Sequence, residues 1–267
     1  MIGSAPAKIN LALVVGDLRP DGRHELVTVY QRVDLGDRIS VVPAGFTVVE
    51  GFAADTLVAR ALASLDAPHA WHAKIDKRIP VAAGLGGGSS DAATALRLGN
   101  AQLDEPYEPA ELDELAAGLG ADVPFFLHEG PQLGTGDGTT LAPLELPQDF
   151  AVCLLLPHGA TKPSTASVYA SFDERNGAAG FDERADRLRG ALDGLRFATG
   201  FAALPPNDLA SSPLAAELTA LGAFRADVSG AGPTVYGLFE STAAAARAAR
   251  RLKRLGRTWS TVPAWYG

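Results

Sequence analysis

Two periods of apolar spacing run along this chain. Ala7–Val15 is an apolar, strand-like segment interrupted by Lys8 and Asn10. The turn-rich stretch GDLRPDGRH follows. Val27–Val42 then alternates well enough to predict two strands around Gly36 and Asp37. Leu57, Val58, Ala61, Leu62 and Leu65 share one helical face, with Asp55 placed to cap that helix. Lys74–Asp76 reads as a strand end, and Asp91–Leu103 as a helix fed directly by the loop before it. Pro109 opens another helix with the stripe Leu112, Leu115, Ala116 and Leu119, and Gly120 is its expected C-terminal cap.

Later in the chain, strands are expected at Gln132–Leu133, Val152–Leu156, Arg225–Val228 and Thr234–Phe239. Helices are expected at Thr165–Phe172, Glu183–Leu195, Pro213–Leu221 and Ala243–Leu255. The last carries Arg247, Arg250, Arg251 and Lys253, which complement the negative end of the helix dipole and read as a solvated basic face. Helices and strands do not alternate regularly, which predicts an α+β fold. The proline-bearing segment Leu146–Asp149 is the expected boundary between two domains, 1–148 and 149–267.

Composition narrows the function. Of 267 residues, 47% are hydrophobic and 20% charged, enough for a sizeable core. A net charge of −8 repels phosphate backbones, so nucleic acid and anionic membranes are not expected partners. The one cysteine, Cys153, sits in the apolar run VCLLL and reads as a buried core thiol. The opening MIGSAPAKINLALVV lacks a signal peptide's order of regions, and no apolar run approaches the roughly 20 residues of a bilayer span. A cytoplasmic protein is expected. His69 and His72 flank Trp71, but no firm ligand spacing surrounds them, and they read as a solvent-facing loop.

Chemistry concentrates at Pro80–Ser90. Gly84, Gly86, Gly87 and Gly88 lie within five residues, then two serines, then a helix. Glycines let the backbone bend sharply and come close to a ligand. The free N–H groups of the helix's first turn and its dipole then attract an anion, and Ser89 and Ser90 can add donors. A Walker A loop would need a lysine that is absent here; the dinucleotide and nucleophile-elbow spacings also fail. Ser229–Pro233 is a second glycine turn between two strands, readable as a hairpin turn or as a binding loop.

Three separated segments, Ala5–Asn10, Pro80–Ala92 and Ser229–Pro233, together resemble the GHMP kinases (galactokinase, homoserine kinase, mevalonate kinase, phosphomevalonate kinase). DGRHEL and LGADVPFF fall between them in the order of the family branch acting on a cytidine-diphosphate-linked methylerythritol. The resemblance implies a two-domain α+β fold with ATP and substrate meeting in the cleft between domains. It implies transfer of the ATP γ-phosphoryl to the 2-hydroxyl of the methylerythritol unit, a step of the non-mevalonate route to isoprenoid precursors. It places Lys8 and Asp122 as the catalytic pair. The ATP site is placed at Pro80, Val81, Ala82, Ala83, Gly84, Leu85, Gly86, Gly87, Gly88, Ser89 and Ser90, with Leu57 and Lys77 cradling adenine. Asn10, which shares a strand face with Lys8, would bind substrate hydroxyls. His24, Thr165 and Tyr169 would line the cytidine pocket.

Two departures stand out: Arg23 precedes His24 where the family commonly has an aromatic, and Thr56 stands in place of the more usual asparagine. A guanidinium can itself stack on a base or pair with a diphosphate. Mg²⁺ is expected to accompany ATP, with no separate metal site on the protein. A homoserine or mevalonate-type kinase of the same family, or a nucleotide sensor without catalysis, remain alternatives at this point.

Overall fold

The computed structural model describes residues 1–51, 57–160 and 164–264, so the expected Asp55 cap and Thr56 lie outside the described residues. Strands β1 (Ile2–Leu18) and β2 (His24–Ala44) form a long antiparallel pair. Beyond them come β3 (Val48–Glu50), helix α1 (Leu57–Ala63) and β4 (Ala70–Asp76). Helices α2 (Gly87–Asn100) and α3 (Pro109–Leu119) follow, then β5 (Gln132–Thr135) and β6 (Thr140–Pro143). These six strands form one sheet in the order β3-β4-β2-β5-β6, with β1 on β2 as well.

Residues 24–44 form one strand, where two were expected. Gly36 and Asp37 do not turn the chain; they sit at a bulge where pairing jumps from Pro6↔Gly36 to Ala7↔Val33. The reason is long-range. The buried Asp37 carboxylate accepts the backbone N–H groups of Arg78 and Ile79 at 2.5 and 2.8 Å, and β4 pairs with residues 38–44. A turn there would leave those donors unsatisfied.

Helix α2 begins at Gly87, four residues before the expected start, so Ser89 and Ser90 belong to its first turn. Its run of Ala and Gly lets it pack close to the sheet, with Ala92, Ala95 and Leu96 buried against Ile39, Val41, Trp71 and Ala73. Helix α3 starts with a reciprocal cap between Glu108 and Glu111. It stops at Gly120 as expected, but with φ 168, extended backbone that any residue adopts and not the left-handed glycine cap. His72 lies on β4 and faces Glu50 at 3.3 Å, so it belongs to a strand and not to the expected loop. Among the described residues, no cluster of three His, Cys, Asp or Glu could hold a metal ion.

The second sheet holds β7 (Ala151–Pro157), β8 (Arg225–Val228), β9 (Val235–Phe239) and β10 (Gly256–Thr261), antiparallel in the order β10-β7-β9-β8. Around it lie α4 (Thr165–Glu174), α5 (Phe181–Leu192), α6 (Leu214–Ala220) and α7 (Thr242–Leu252). Strand period two splits its core. Cys153 and Leu155 face α6 and α7. Val152 and Leu154 face Ile9, Leu11 and Val27 of the first sheet and Leu188 of α5. The two sheets thus share one continuous apolar cluster, and α4 is carried beside the ends of β1 and β2. Cys153 is buried as expected, and burial pushes its thiol up to about 12, which keeps it inert. No helix among the described residues is long and apolar enough to cross a membrane.

Candidate active site

Strand β1 presents Lys8 and Asn10 on one face. The buried Lys8 ammonium donates to Asn10 Oδ1 at 2.6 Å, and Asn10 Nδ2 donates to Thr28 Oγ1 at 2.8 Å. Thr28 in turn donates to the Ala12 carbonyl at 2.7 Å, so the amide is clamped from both ends. Asp122 arrives from the turn after α3, and its Oδ2 lies 3.5 Å from Lys8 Nζ. That turn is held from below by Arg32. Its fully buried guanidinium donates to the carbonyls of Phe125, His128 and Gly130 and lies 4.5 Å from the Phe125 ring. Burial lowers the Arg32 guanidinium to about 10, still charged at neutral pH.

The glycine loop is built from left-handed residues: Ala82 at φ 55, Gly84 at φ 78 and Gly86 at φ 69. It is bonded to both other motifs. Lys8 N–H donates to the Leu85 carbonyl at 2.9 Å, Ser229 Oγ to the Gly84 carbonyl at 2.9 Å, and Thr234 N–H to the Ala83 carbonyl at 3.2 Å. Ser229–Pro233 is therefore both a hairpin turn between β8 and β9 and a wall against the first loop. Asn207 braces it, donating from Nδ2 to the carbonyls of Val228 and Gly230 at 2.9 and 2.7 Å.

These segments enclose a cavity of about 870 Å³. Lys8, Asn10, His24, Leu57, Lys77, Asp122, Thr165 and Tyr169 line it, together with the loop from Pro80 to Ser89. Ser90 does not line it: its side chain is buried behind the loop, and its N–H donates to the Gly86 carbonyl at 2.9 Å. Gly87 opens α2, and a Cβ there would point at Ile79 and at Lys77 Nζ, 3.0 and 3.2 Å away.

One wall of the cavity is aromatic. His24 stacks on Tyr169 with centroids 4.6 Å apart, meets Phe172 edge-on, and shares a 2.8 Å hydrogen bond between Nε2 and Asp173 Oδ1. Thr165, Tyr169 and Asp173 stand four apart on α4 and so share a face. Burial, with the nearby Asp122 charge, pushes the Tyr169 phenol up to about 12, so it stays a neutral donor. Arg23 is not on the ring stack. It pairs with Asp137 from the β5–β6 turn. Burial works against the Asp137 charge, yet hydrogen bonds from Thr139 and Arg23 outweigh it and hold that carboxyl below its usual range.

Behind the loop, Lys77 bridges two fully buried carboxylates, Asp37 at 2.7 Å and Asp91 at 2.5 Å. Neither acid was singled out from the sequence. An aspartate at an expected turn between two strands and one at the start of an alanine-rich helix were the available signals. Burial works against the Lys77 charge, but the two carboxylates outweigh it and raise its pKa. Burial pushes Asp91 up to about 7, with Lys77 only partly opposing. A raised carboxyl pKa means that the folded state binds the proton more tightly than the unfolded chain. The contribution of Asp91 to stability therefore falls as pH rises from about 4 to about 7. Asp91→Asn mimics the protonated acid, so its melting temperature relative to the unsubstituted protein is expected to rise between pH 5 and pH 8. Thermal melts of both proteins at the two pH values check this; a constant gap would mean that Asp91 does not titrate in that window.

Comparison with known proteins identifies the family. Residues 50–130 match the GHMP kinases N terminal domain and residues 209–258 the GHMP kinases C terminal domain. The chain belongs to the GHMP kinases, which transfer phosphoryl groups from ATP to small molecules. A 4-diphosphocytidyl-2-C-methyl-D-erythritol kinase of Nocardia farcinica is 40% identical over 94% of this chain and 89% of its own. The enzyme of the same name from Kineococcus radiotolerans is 37% identical over 94% of this chain and 85% of its own. A crystal structure of 4-(cytidine 5'-diphospho)-2C-methyl-D-erythritol kinase superposes with TM-score 0.81 at 34% identity, covering all of both chains.

Proposed function

We propose that the protein transfers the γ-phosphoryl of ATP to the 2-hydroxyl of 4-diphosphocytidyl-2-C-methyl-D-erythritol. The observation that carries this is the Lys8–Asp122 pair, 3.5 Å apart on the wall of a cavity that also holds the glycine loop and the His24–Tyr169 stack. Asp122 accepts the hydroxyl proton as that oxygen attacks the γ-phosphorus and ADP departs. Lys8 orients the Asp122 carboxylate and meets charge developing on the phosphoryl oxygens. Asn10, clamped by Lys8 and Thr28, turns its amide toward the substrate hydroxyls. The loop's N–H groups and the N-terminus of α2 hold the ATP phosphates, and Leu57 and the carboxylate-held Lys77 lie beside the adenine.

The base-binding wall favours a cytidine-bearing substrate over a small acid such as homoserine or mevalonate. His24 and Tyr169, 4.6 Å apart, leave no gap for a base between them, so the cytosine stacks on an open face of the pair. The relatives' common name points the same way. Retention of both Lys8 and Asp122 argues against a sensor without catalysis.

Mg²⁺ fits the oxygen donors present. Ser89 lines the cavity at the glycine loop and would hold it together with phosphate oxygens and water, the usual arrangement for this ion. Bound there, it would neutralise charge on the β- and γ-phosphates.

The test is ADP release by the purified protein with Mg-ATP, with and without 4-diphosphocytidyl-2-C-methyl-D-erythritol. Substrate-dependent ADP and one added phosphate on the substrate are expected. ADP released only with another hydroxyl compound would overturn the substrate; no release with any acceptor would overturn the kinase reading.

A further inference from the structure

Tyr30 lines the same cavity as the Lys8–Asp122 pair, with its ring under Lys8, and has no part in the functional reading above. It lies on β2 directly across from Asn10 and is 3% exposed. Its ring sits under the Lys8 ammonium, 5.4 Å from centroid to Nζ, and stacks on Phe125 at 4.9 Å. The Asp122 carboxylate lies near enough to the Tyr30 hydroxyl for the carboxylate's charge to act on the phenol. Room for the phenol comes from the β5–β6 hairpin. A Cβ at Gly138 would stand 2.8 Å from the Tyr30 hydroxyl, and one at Gly134 2.6 Å from its Cε2. The chain has thus kept two side-chain-free positions against one ring. Burial and the Asp122 charge both push the phenol well above its ordinary value, so it stays a donor at any working pH.

We propose that Tyr30 is a positioning residue for phosphoryl transfer. Its O–H orients the Asp122 carboxylate, and its ring face holds the Lys8 ammonium beside it. A carboxylate flanked by one cation can swing about that contact. A second donor from a rigid, doubly packed ring removes the swing and aims the remaining lone pair at the incoming hydroxyl. The cation–π contact helps hold Lys8 without neutralising it. This inference rests on the reading of Asp122 as the base.

The experiment is the ADP-release assay on four full-length proteins: unsubstituted, Tyr30→Phe, Asp122→Asn and the double variant. Tyr30→Phe keeps the ring, its stacking and its cation–π contact and removes only the donor. The expected result is kcat lowered about 10-fold, the range of a lost hydrogen bond to a charged group. KM for ATP and for the cytidine substrate is expected to stay within about twofold, with an unchanged thermal melt. In the Asp122→Asn background the same substitution is expected to have no further effect, because the group it orients is gone. An unchanged kcat, or an equal loss in both backgrounds, would overturn the inference while leaving the kinase reading intact. Absence of turnover in the unsubstituted protein would overturn both.

Discussion

Asp122→Asn is expected to lower kcat by about 10² to 10⁴-fold, the range of a lost general base, with the fold intact and ATP still bound. The substitution is close to isosteric, and the Asp122 side chain is 34% exposed, so little packing depends on its charge. The turn that carries it is fixed independently by Arg32 through three backbone carbonyls. Lys8 keeps its contact with Asn10 at 2.6 Å and stays in place. An asparagine can still orient a hydroxyl but cannot take its proton. The loss should therefore fall on kcat, with KM for ATP changed a fewfold at most. Steady-state ADP release together with a thermal melt measures it. Near-normal turnover would remove Asp122 from the mechanism; a collapsed melt would show that the pair is structural.

Gly84→Ala should be the most damaging small change in the loop. Gly84 sits at φ 78, where a Cβ is strained in any case. That Cβ would also stand 2.5 Å from the Ser229 carbonyl oxygen and 2.7 Å from that of Gly232. Both obstacles are backbone, so neither can rotate away. The glycine loop and the Ser229–Pro233 turn would have to separate, and the hydrogen bonds from Ser229 Oγ and Thr234 N–H that join them would stretch or break. A cost of about 3–5 kcal/mol is expected, in the upper range for single substitutions. For a chain of this size that is on the order of 10 °C in melting temperature. ATP affinity should fall at least about 10-fold, since the same movement misaims the loop's N–H groups. Calorimetric ATP titration and thermal melts check both. Gly118→Ala is the matched control: it lies in α3 with open space around its would-be Cβ, and should leave ATP binding unchanged.

Local sequence was informative wherever structure is local. Period-two and helical spacing located most of the elements. The run of glycines and serines before an alanine-rich helix identified a phosphate-type loop, because an unhindered backbone and a helix N-terminus suffice to make one. Lys8 and Asn10 could be placed on one face from their spacing alone. Three short strands, β3, β6 and β10, were not anticipated. They have few residues and weak alternation, and they exist because a neighbouring strand supplies hydrogen bonds.

What tertiary structure alone decided is long-range. Asp37 looked like a turn residue, yet it anchors a bulge in one continuous strand because its carboxylate satisfies two N–H groups about forty positions away. Asp91 looked like an ordinary helix residue, yet it is half of a buried acid pair around Lys77. Tyr30 acquires its place under Lys8 and beside Asp122 through strand register and through the two glycines of a distant hairpin. Arg23 carries a guanidinium suited to a base or a diphosphate, and the fold turns it to Asp137 instead. Residue type and near-neighbour spacing are properties of the chain, and they were enough to say which chemistry is available. Which groups meet, and which charges are stripped of water, depends on contacts between segments far apart in sequence, and only the folded packing sets those.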